Sequence, residues 1–362
     1  MKFKSPKCLV AERLKEEGLK RPKLLFYPGR GDVFNRVAYK LVKGELGVLR
    51  EEEFGESILP GKVVGECGQV ELLALRGSVK PDSAVVKARG SVDFSGLNLN
   101  YPTFAVDMSF FGNLLPSERK SLMVQLEIAY GVVKDYLTPE NFVITSVDDE
   151  VSGVLEEFFS PSVPFKLYRF LPDVENVIVL DPFGDEEFTH EEVTPDTLIV
   201  VGGIVDSSER MMGATAEILP KVKHRRITYK GSRDIVPDRI NEIIKIVCQY
   251  LTEDITLEEA VRRNVTRDSR LRFIRRELQK NLVRFMVSGE LLRGIPEELY
   301  LKWKEEFGIT DFFFRKGAKH VGGFIVFKPS IFDRVVGETM RRKRRVYVLE
   351  ELKDEDVVAV YP

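Results

Sequence analysis

The chain has 362 residues, more than one hydrophobic core usually supports, so two or three domains are expected. Charged residues make up 31% of it, above the usual quarter and suited to ion-pair networks in a heat-adapted protein, while a net charge of −2 says nothing about partners. Cys8, Cys67 and Cys248 are far apart with no CxxC, which argues against a zinc ribbon, a redox pair or a disulfide framework.

Residues 1–98 open with a basic segment and continue through glycines and short apolar runs, which predicts a small β-rich or α+β domain able to contact RNA. From Tyr101 to Asp254 strands and helices alternate: FAVDM, a helix from Pro116 to Tyr136, NFVITSV, a helix from Asp149 to Phe159, FKLYRFL, NVIVLD, TLIVVGG, a short helix near Gly213 to Leu219, RRITY and a helix from Pro237 to Leu251. That pattern predicts a parallel sheet with helices on both faces over residues 99–255. Residues 256–362 read as a mainly helical basic domain. Arg262, Arg263, Arg267, Arg270, Arg272, Arg275, Arg276, Lys280 and Arg284 accumulate there, with Leu271, Ile274, Leu278, Leu282 and Phe285 as an apolar stripe. FFFRKG at Phe312–Gly317 fits a strand core better than a base-stacking platform, and MRRKRR at Met340–Arg345 is a second basic run.

Within LIVVGGIVD, Leu198–Asp206, four aliphatics read as a central parallel strand, and Gly202 and Gly203 follow where it turns, expected at positive φ and near a ligand beyond the strand's carboxyl end. Asp206 then faces a bound molecule, although an ordinary strand-to-loop transition with a solvated Asp is equally open. His190, His224 and His320 are scattered, so neither a metal site nor a histidine triad is expected. No apolar run approaches bilayer length and the N-terminus lacks a signal-peptide core, so a cytoplasmic protein without a membrane partner is expected. Basic patches flanking a near-neutral core point to a polyanion, most simply nucleic acid, with Arg262, Arg263, Arg272, Arg275, Arg276 and Arg284 as candidate phosphate contacts.

In combination, FAVDMSF, SLMVQLEIAYG, VIVLDP, VVGGIVD, RRITY and IVPDRINEI resemble the SPOUT-class methyltransferases that modify N1 of the purine at position nine of tRNA. The likeness covers roughly Pro102–Asp254, and the flanking domains look like the archaeal branch. It implies a C-terminal trefoil knot, S-adenosylmethionine as cofactor, tRNA as partner and a monomer. Leu180 and Pro182 match the loop beneath the cofactor. Gly202, Gly203 and Asp206 match GGxVD, with Asp206 in the general-base position, and Val205 and Arg210 flank it. Ile227, Tyr229 and Gly231 would wrap the adenosine, and Ile235, Val236 and Ile240 would close the knot. Gln125 matches the first helix's glutamine, and Asp107, with Ser109, matches DxSF as a second catalytic candidate. SSERMMG has fewer basic residues than the family places there, and Asp238 and Arg239 replace a common Asn-Gln pair.

The chemistry suits a carboxylate. Guanine N1 must lose a proton as the methyl arrives, whereas adenine N1 becomes cationic, so Asp206 serves as base for one and counter-charge for the other. Two rivals remain. A dehydrogenase-like enzyme would need a GxGxxG opening a helix after a strand, which the chain lacks, and a non-catalytic RNA-binding module would need no Asp206 in its glycine context.

Overall fold

The computed structural model describes residues 3–27, 29–54, 59–205, 211, 213–341 and 343–362. Two units form, one of Met1–Ile227 with Asp238–Asn264 and the other of Thr228–Pro237 with Val265–Pro362.

The first unit begins with α1 (Pro6–Glu16), β1 (Pro22–Leu24), α2 (Val33–Val42), β2 (Gly47–Arg50), α3 (Glu51–Phe54), β3 (Val63–Cys67), β4 (Val70–Leu73) and β5 (Ser83–Val86). Helix α2 starts where the Asp32 side chain accepts from the Asn35 amide at 2.9 Å, and its buried Phe34, Val37, Ala38 and Leu41 follow the spacing of one helical face. Those residues pack, with Val10 and Leu14 of α1, on a sheet of order β2-β5-β1-β4-β3. Cys8 on α1 and Cys67 on β3 form a disulfide, contrary to the expectation that their spacing argued against one. Only the packing of α1 against the edge of the sheet, which brings their Cα atoms to 5.4 Å, makes that pairing available. Cys248 is buried, which pushes its thiol pKa up and leaves it inert.

The unit continues through β6 (Thr103–Asp107), α4 (Pro116–Tyr136), β7 (Phe142–Thr145), α5 (Asp149–Phe158), β8 (Lys166–Leu167), β9 (Val177–Leu180), β10 (Glu186–Glu187), β11 (Leu198–Gly202), β12 (Lys223–Arg226), α6 (Ile240–Thr252) and α7 (Leu257–Asn264). As the alternation requires, the strands form a parallel sheet, of order β10-β12-β9-β11-β6-β7-β8. Its central strands β11, β6 and β7 are apolar and buried along nearly their whole length, as expected of strands covered on both faces. Helix α4 packs on α6, and its C-terminal end is tied to α2: the Asn35 side-chain Nδ2 donates to the Lys134 and Leu137 carbonyls at 3.1 and 2.9 Å, and Arg36 pairs with Asp135 at 2.7 Å.

The second unit holds α8 (Arg267–Asn281), β13 (Val283–Val287), β14 (Glu290–Pro296), α9 (Glu297–Phe307), α10 (Asp311–Val321), β15 (Phe324–Phe327), β16 (Val335–Arg341), β17 (Arg344–Leu349) and β18 (Val357–Tyr361). It is not mainly helical: a mixed sheet of order β16-β17-β13-β14-β15-β18 organises it. Leu282 caps α8, so Arg284 and Phe285 belong to β13 rather than to the helix stripe. Phe312–Phe314 lie on α10 and not in a strand; Phe313 and Phe314 are buried, and the Arg267 guanidinium sits 4.8 Å from the centre of the Phe312 ring. Three consecutive phenylalanines fit either element, and the helix is favoured by Thr310 at its N-cap and Gly322 at φ +76° at its end.

Candidate active site

The parallel register aligns the carboxyl ends of five strands: Leu180 of β9 lies beside Val201 of β11 and Arg225 of β12, and Asp107 of β6 lies between Gly202 of β11 and Thr145 of β7. This edge is where open α/β sheets bind ligands.

Gly202 and Gly203 are both buried at that edge, and neither adopts positive φ, contrary to expectation. Their glycine requirement comes from close approach. The Gly203 amide donates to the Asp107 carbonyl at 2.7 Å, and a Cβ on Gly203 would stand 2.6 Å from the same oxygen and 3.0 Å from Met108 Sδ. Val205 follows half-buried, while Asp206 and Arg210 lie outside the described residues.

Asp107 is buried, and its carboxylate accepts from the Ser109 amide at 3.0 Å, the Ser109 hydroxyl, Thr145 Oγ1 at 3.3 Å and Ser146 Oγ at 2.5 Å. It thereby clamps the end of β6 to the end of β7.

The loop after β9 is braced from beneath. Asp181, also buried, accepts from the Phe183 amide at 2.9 Å and meets His224 Nδ1 at 3.1 Å, while His224 Nε2 is 3.2 Å from the Leu219 carbonyl. Arg226 donates to the Gly184 and Asp185 carbonyls at 2.9 and 2.7 Å. Arg225 grips Glu192 through both carboxylate oxygens, and that grip holds the Glu192 carboxyl below its usual range. Leu180 is buried under this loop, and Pro182 and Phe183 project from it.

Gln125 on α4 has a role that its sequence position did not reveal. Its carbonyl oxygen accepts from the Ile240 amide at 3.0 Å and so caps the first turn of α6, which buries Ile240. One residue on, Asn241 Oδ1 is buried without a hydrogen-bond partner among the described residues. It lies in the IVPDRINEI block, yet no pattern singled it out. Ile227 is buried at the end of β12.

The remaining proposed cofactor residues belong to the second unit. Tyr229 and Ser232 exchange backbone hydrogen bonds across Lys230 and Gly231, at φ +50° and +72°, and the Tyr229 hydroxyl donates to the Glu306 carbonyl at 3.0 Å. Both central residues of this turn being left-handed explains Gly231. Ile235 and Val236 are buried. Between them and the turn, buried Asp234 accepts from Arg276 at 2.7 Å and Lys280 at 2.8 Å, and Arg272 donates to the Asp234 and Val236 carbonyls at 3.3 and 2.5 Å. Burial opposes the Asp234 charge, but the two cations outweigh it and hold the carboxyl below its ordinary range. Arg272 and Arg276 thus each make hydrogen bonds to this buried segment within the protein. In the first unit Arg262 and Arg263 pair with Glu259, which their hydrogen bonds pull down to about 2. Arg275 is exposed.

No protein-family model matches the chain. Trm10 of Sulfolobus acidocaldarius, solved in complex with S-adenosylhomocysteine, superposes with a TM-score of 0.59 at 17% identity, over 88% of this chain and 100% of that one. The fold is that of Trm10. In sequence, the chain is 28% identical over 219 residues to the tRNA (guanine(9)-/adenine(9)-N1)-methyltransferase of Thermococcus kodakarensis, covering 56% of this chain and 59% of that protein. It is 30% identical over 168 residues to the tRNA (adenine(9)-N1)-methyltransferase of S. acidocaldarius, covering 44% and 54%. The chain thus spans less than two thirds of the length of these curated relatives. No helix among the described residues is long and apolar enough to cross a membrane, and none of their His, Cys, Asp and Glu side chains cluster as a metal site.

Proposed function

We propose that the chain is an S-adenosylmethionine-dependent tRNA methyltransferase acting on N1 of the purine at position nine. The observation that carries this reading is the glycine edge of β11, held against Asp107 and facing the braced loop after β9, within a Trm10 fold. A backbone-lined edge with apolar neighbours fits an adenosyl group, and Asn241 Oδ1 is a buried acceptor that has no donor among the described residues. Leu180, Pro182, Gly202, Gly203, Val205 and Ile227 would hold the cofactor, which when bound supplies a methyl on a sulfonium. Ile240 and Gln125 would hold the α6 end beside them. The connection from Ile204 to Ile240 would be threaded as a trefoil knot, and the protein would act as a monomer.

For guanine, Asp206 would accept the N1 proton as N1 takes the methyl. For adenine no proton leaves, and the same carboxylate balances the new positive charge. Because N1 lies on the pairing edge, the base must be unpaired or flipped out, which requires a grip on the surrounding RNA.

The test is two-part. S-adenosylhomocysteine at one hundred times its dissociation constant should add about 2.7 kcal/mol of apparent stability, and nucleoside mass spectrometry of a tRNA transcript incubated with protein and S-adenosylmethionine should reveal 1-methylpurine. Stabilisation by a nicotinamide cofactor alone would favour a dehydrogenase, and RNA binding with neither stabilisation nor methylation would favour a binding module.

A further inference from the structure

In the second unit, a row of arginines is left over once the ion pairs are assigned. Arg284 of β13 lies directly opposite Arg293 of β14, and Arg341 of β16 lies directly opposite Arg344 of β17. Like charges facing each other across strands destabilise a sheet. The four strands are consecutive in the order β16-β17-β13-β14, and because Phe285 pairs with Tyr347, Arg344 stands two residues along β17 from the position opposite Arg284, so the two pairs make a staggered row.

The row occupies one face. Val283, Phe285, Val287, Leu292 and Tyr347 pack into the apolar core on the other side, and alternation turns Arg284, Arg293 and Arg344 away from it, with Arg341 following its partner Arg344. The acids of these strands do not help. Glu290 pairs with Val287 and Glu338 with Tyr347, which places both on the core side, where Glu338 meets Arg345 at 3.4 Å. Arg293 donates to the Gly322 carbonyl at 3.1 Å; Arg284, Arg341 and Arg344 have no carboxylate partner among the described residues. Arg341 and Arg344 are exposed, while Arg284 is half-buried, and its pKa is lowered first by burial and then by the charges of Arg344 and Arg293. With strands about 4.8 Å apart and a two-residue offset of about 6.7 Å along β17, the row spans roughly 16 Å. A row of facing, mutually repelling arginines is a cost that an anionic ligand removes.

We propose that the row Arg341–Arg344–Arg284–Arg293 is a binding surface for the phosphate backbone of the RNA substrate. It rests on the methyltransferase reading for the identity of the RNA, and it places the grip on a sheet face rather than on helix α8. Guanidinium forks suit phosphate oxygens, and such contacts position RNA without reading its sequence.

The full chain carrying Arg284→Gln and Arg344→Gln should bind a tRNA transcript more weakly. The dependence of log affinity on log salt should flatten by about 0.7–0.9 for each phosphate that is no longer neutralised, while S-adenosylhomocysteine affinity stays unchanged. Arg344→Glu gives an independent arm: it places a carboxylate among repelling guanidiniums, so the melting temperature without RNA should hold or rise while RNA affinity falls. A salt slope equal to that of the unaltered protein would overturn the proposal and leave the methyltransferase reading standing. A lower melting temperature for Arg344→Glu would also overturn it, by showing that the row supports the fold. No tRNA binding by the unaltered protein would overturn both.

Discussion

The Gly203 amide donates to the Asp107 carbonyl at 2.7 Å, so close that a side chain on Gly203 would stand 2.6 Å from that oxygen. The glycine is therefore required by the joint between β11 and β6, before any ligand arrives. Gly203→Ala should lower stability by about 1–3 kcal/mol, the usual range for overpacking, and should weaken S-adenosylhomocysteine binding with it. Urea unfolding and calorimetry on the same variant measure both; undiminished stability with abolished binding would return Gly203 to a purely ligand-facing role.

Asp206→Asn separates the two roles of that carboxylate. Guanine loses a proton and adenine does not, so guanine methylation should fall roughly 10²- to 10⁴-fold and adenine methylation less, with cofactor affinity little changed. Single-turnover rates on transcripts differing only at position nine supply the comparison, and equal losses would assign Asp206 to charge stabilisation or positioning.

The strands were legible because four consecutive aliphatics before a glycine pair have few uses, and Pro116 marked the start of α4 to the residue. What escaped depended on partners distant in the chain. Counting arginines on α8 revealed their charge, but not that Asp234 lies 42 residues before Arg276 and takes its hydrogen bond. Gln125 stands out in the sequence because it matches the family's first-helix glutamine; that it also caps α6 depends on the Ile240 amide, 115 residues away. The mainly helical expectation for residues 256–362 failed where strand pairing, not local propensity, settled the element, as at Arg284 and Phe285.

The Cys8–Cys67 disulfide closes a separation of 59 residues, for which chain entropy gives up to about 4 kcal/mol of stabilisation. Reductant, or Cys8→Ser, should lower the melting temperature clearly. Thiol titration of the denatured, unreduced protein should find one thiol, that of Cys248. Three thiols and a reductant-insensitive melt would show that the bond does not form.

Asp234 provides the test of whether Arg276 and Lys280 serve the fold or the RNA. Its side chain is 5% exposed while those of Arg276 and Lys280 are 31% and 58% exposed, so removing the carboxylate strands cations that can still reach water. Asp234→Asn should therefore cost about 1–3 kcal/mol, the scale of a charged hydrogen bond, rather than the larger penalty of an uncompensated buried charge. The folded-state pKa is depressed, so this contribution is present in full above the unfolded aspartate value near 3.9 and is lost as pH falls through the lower folded value. The stability gap between the unaltered protein and Asp234→Asn, read from urea midpoints, should hold from pH 7 to about pH 5 and narrow below about pH 4. Arg276→Gln should reproduce part of the loss and leave the salt slope of tRNA binding unchanged. A flatter slope with undiminished stability would mean that Arg276 leaves Asp234 for a phosphate, and the cations of α8 would then belong to the RNA-binding surface after all.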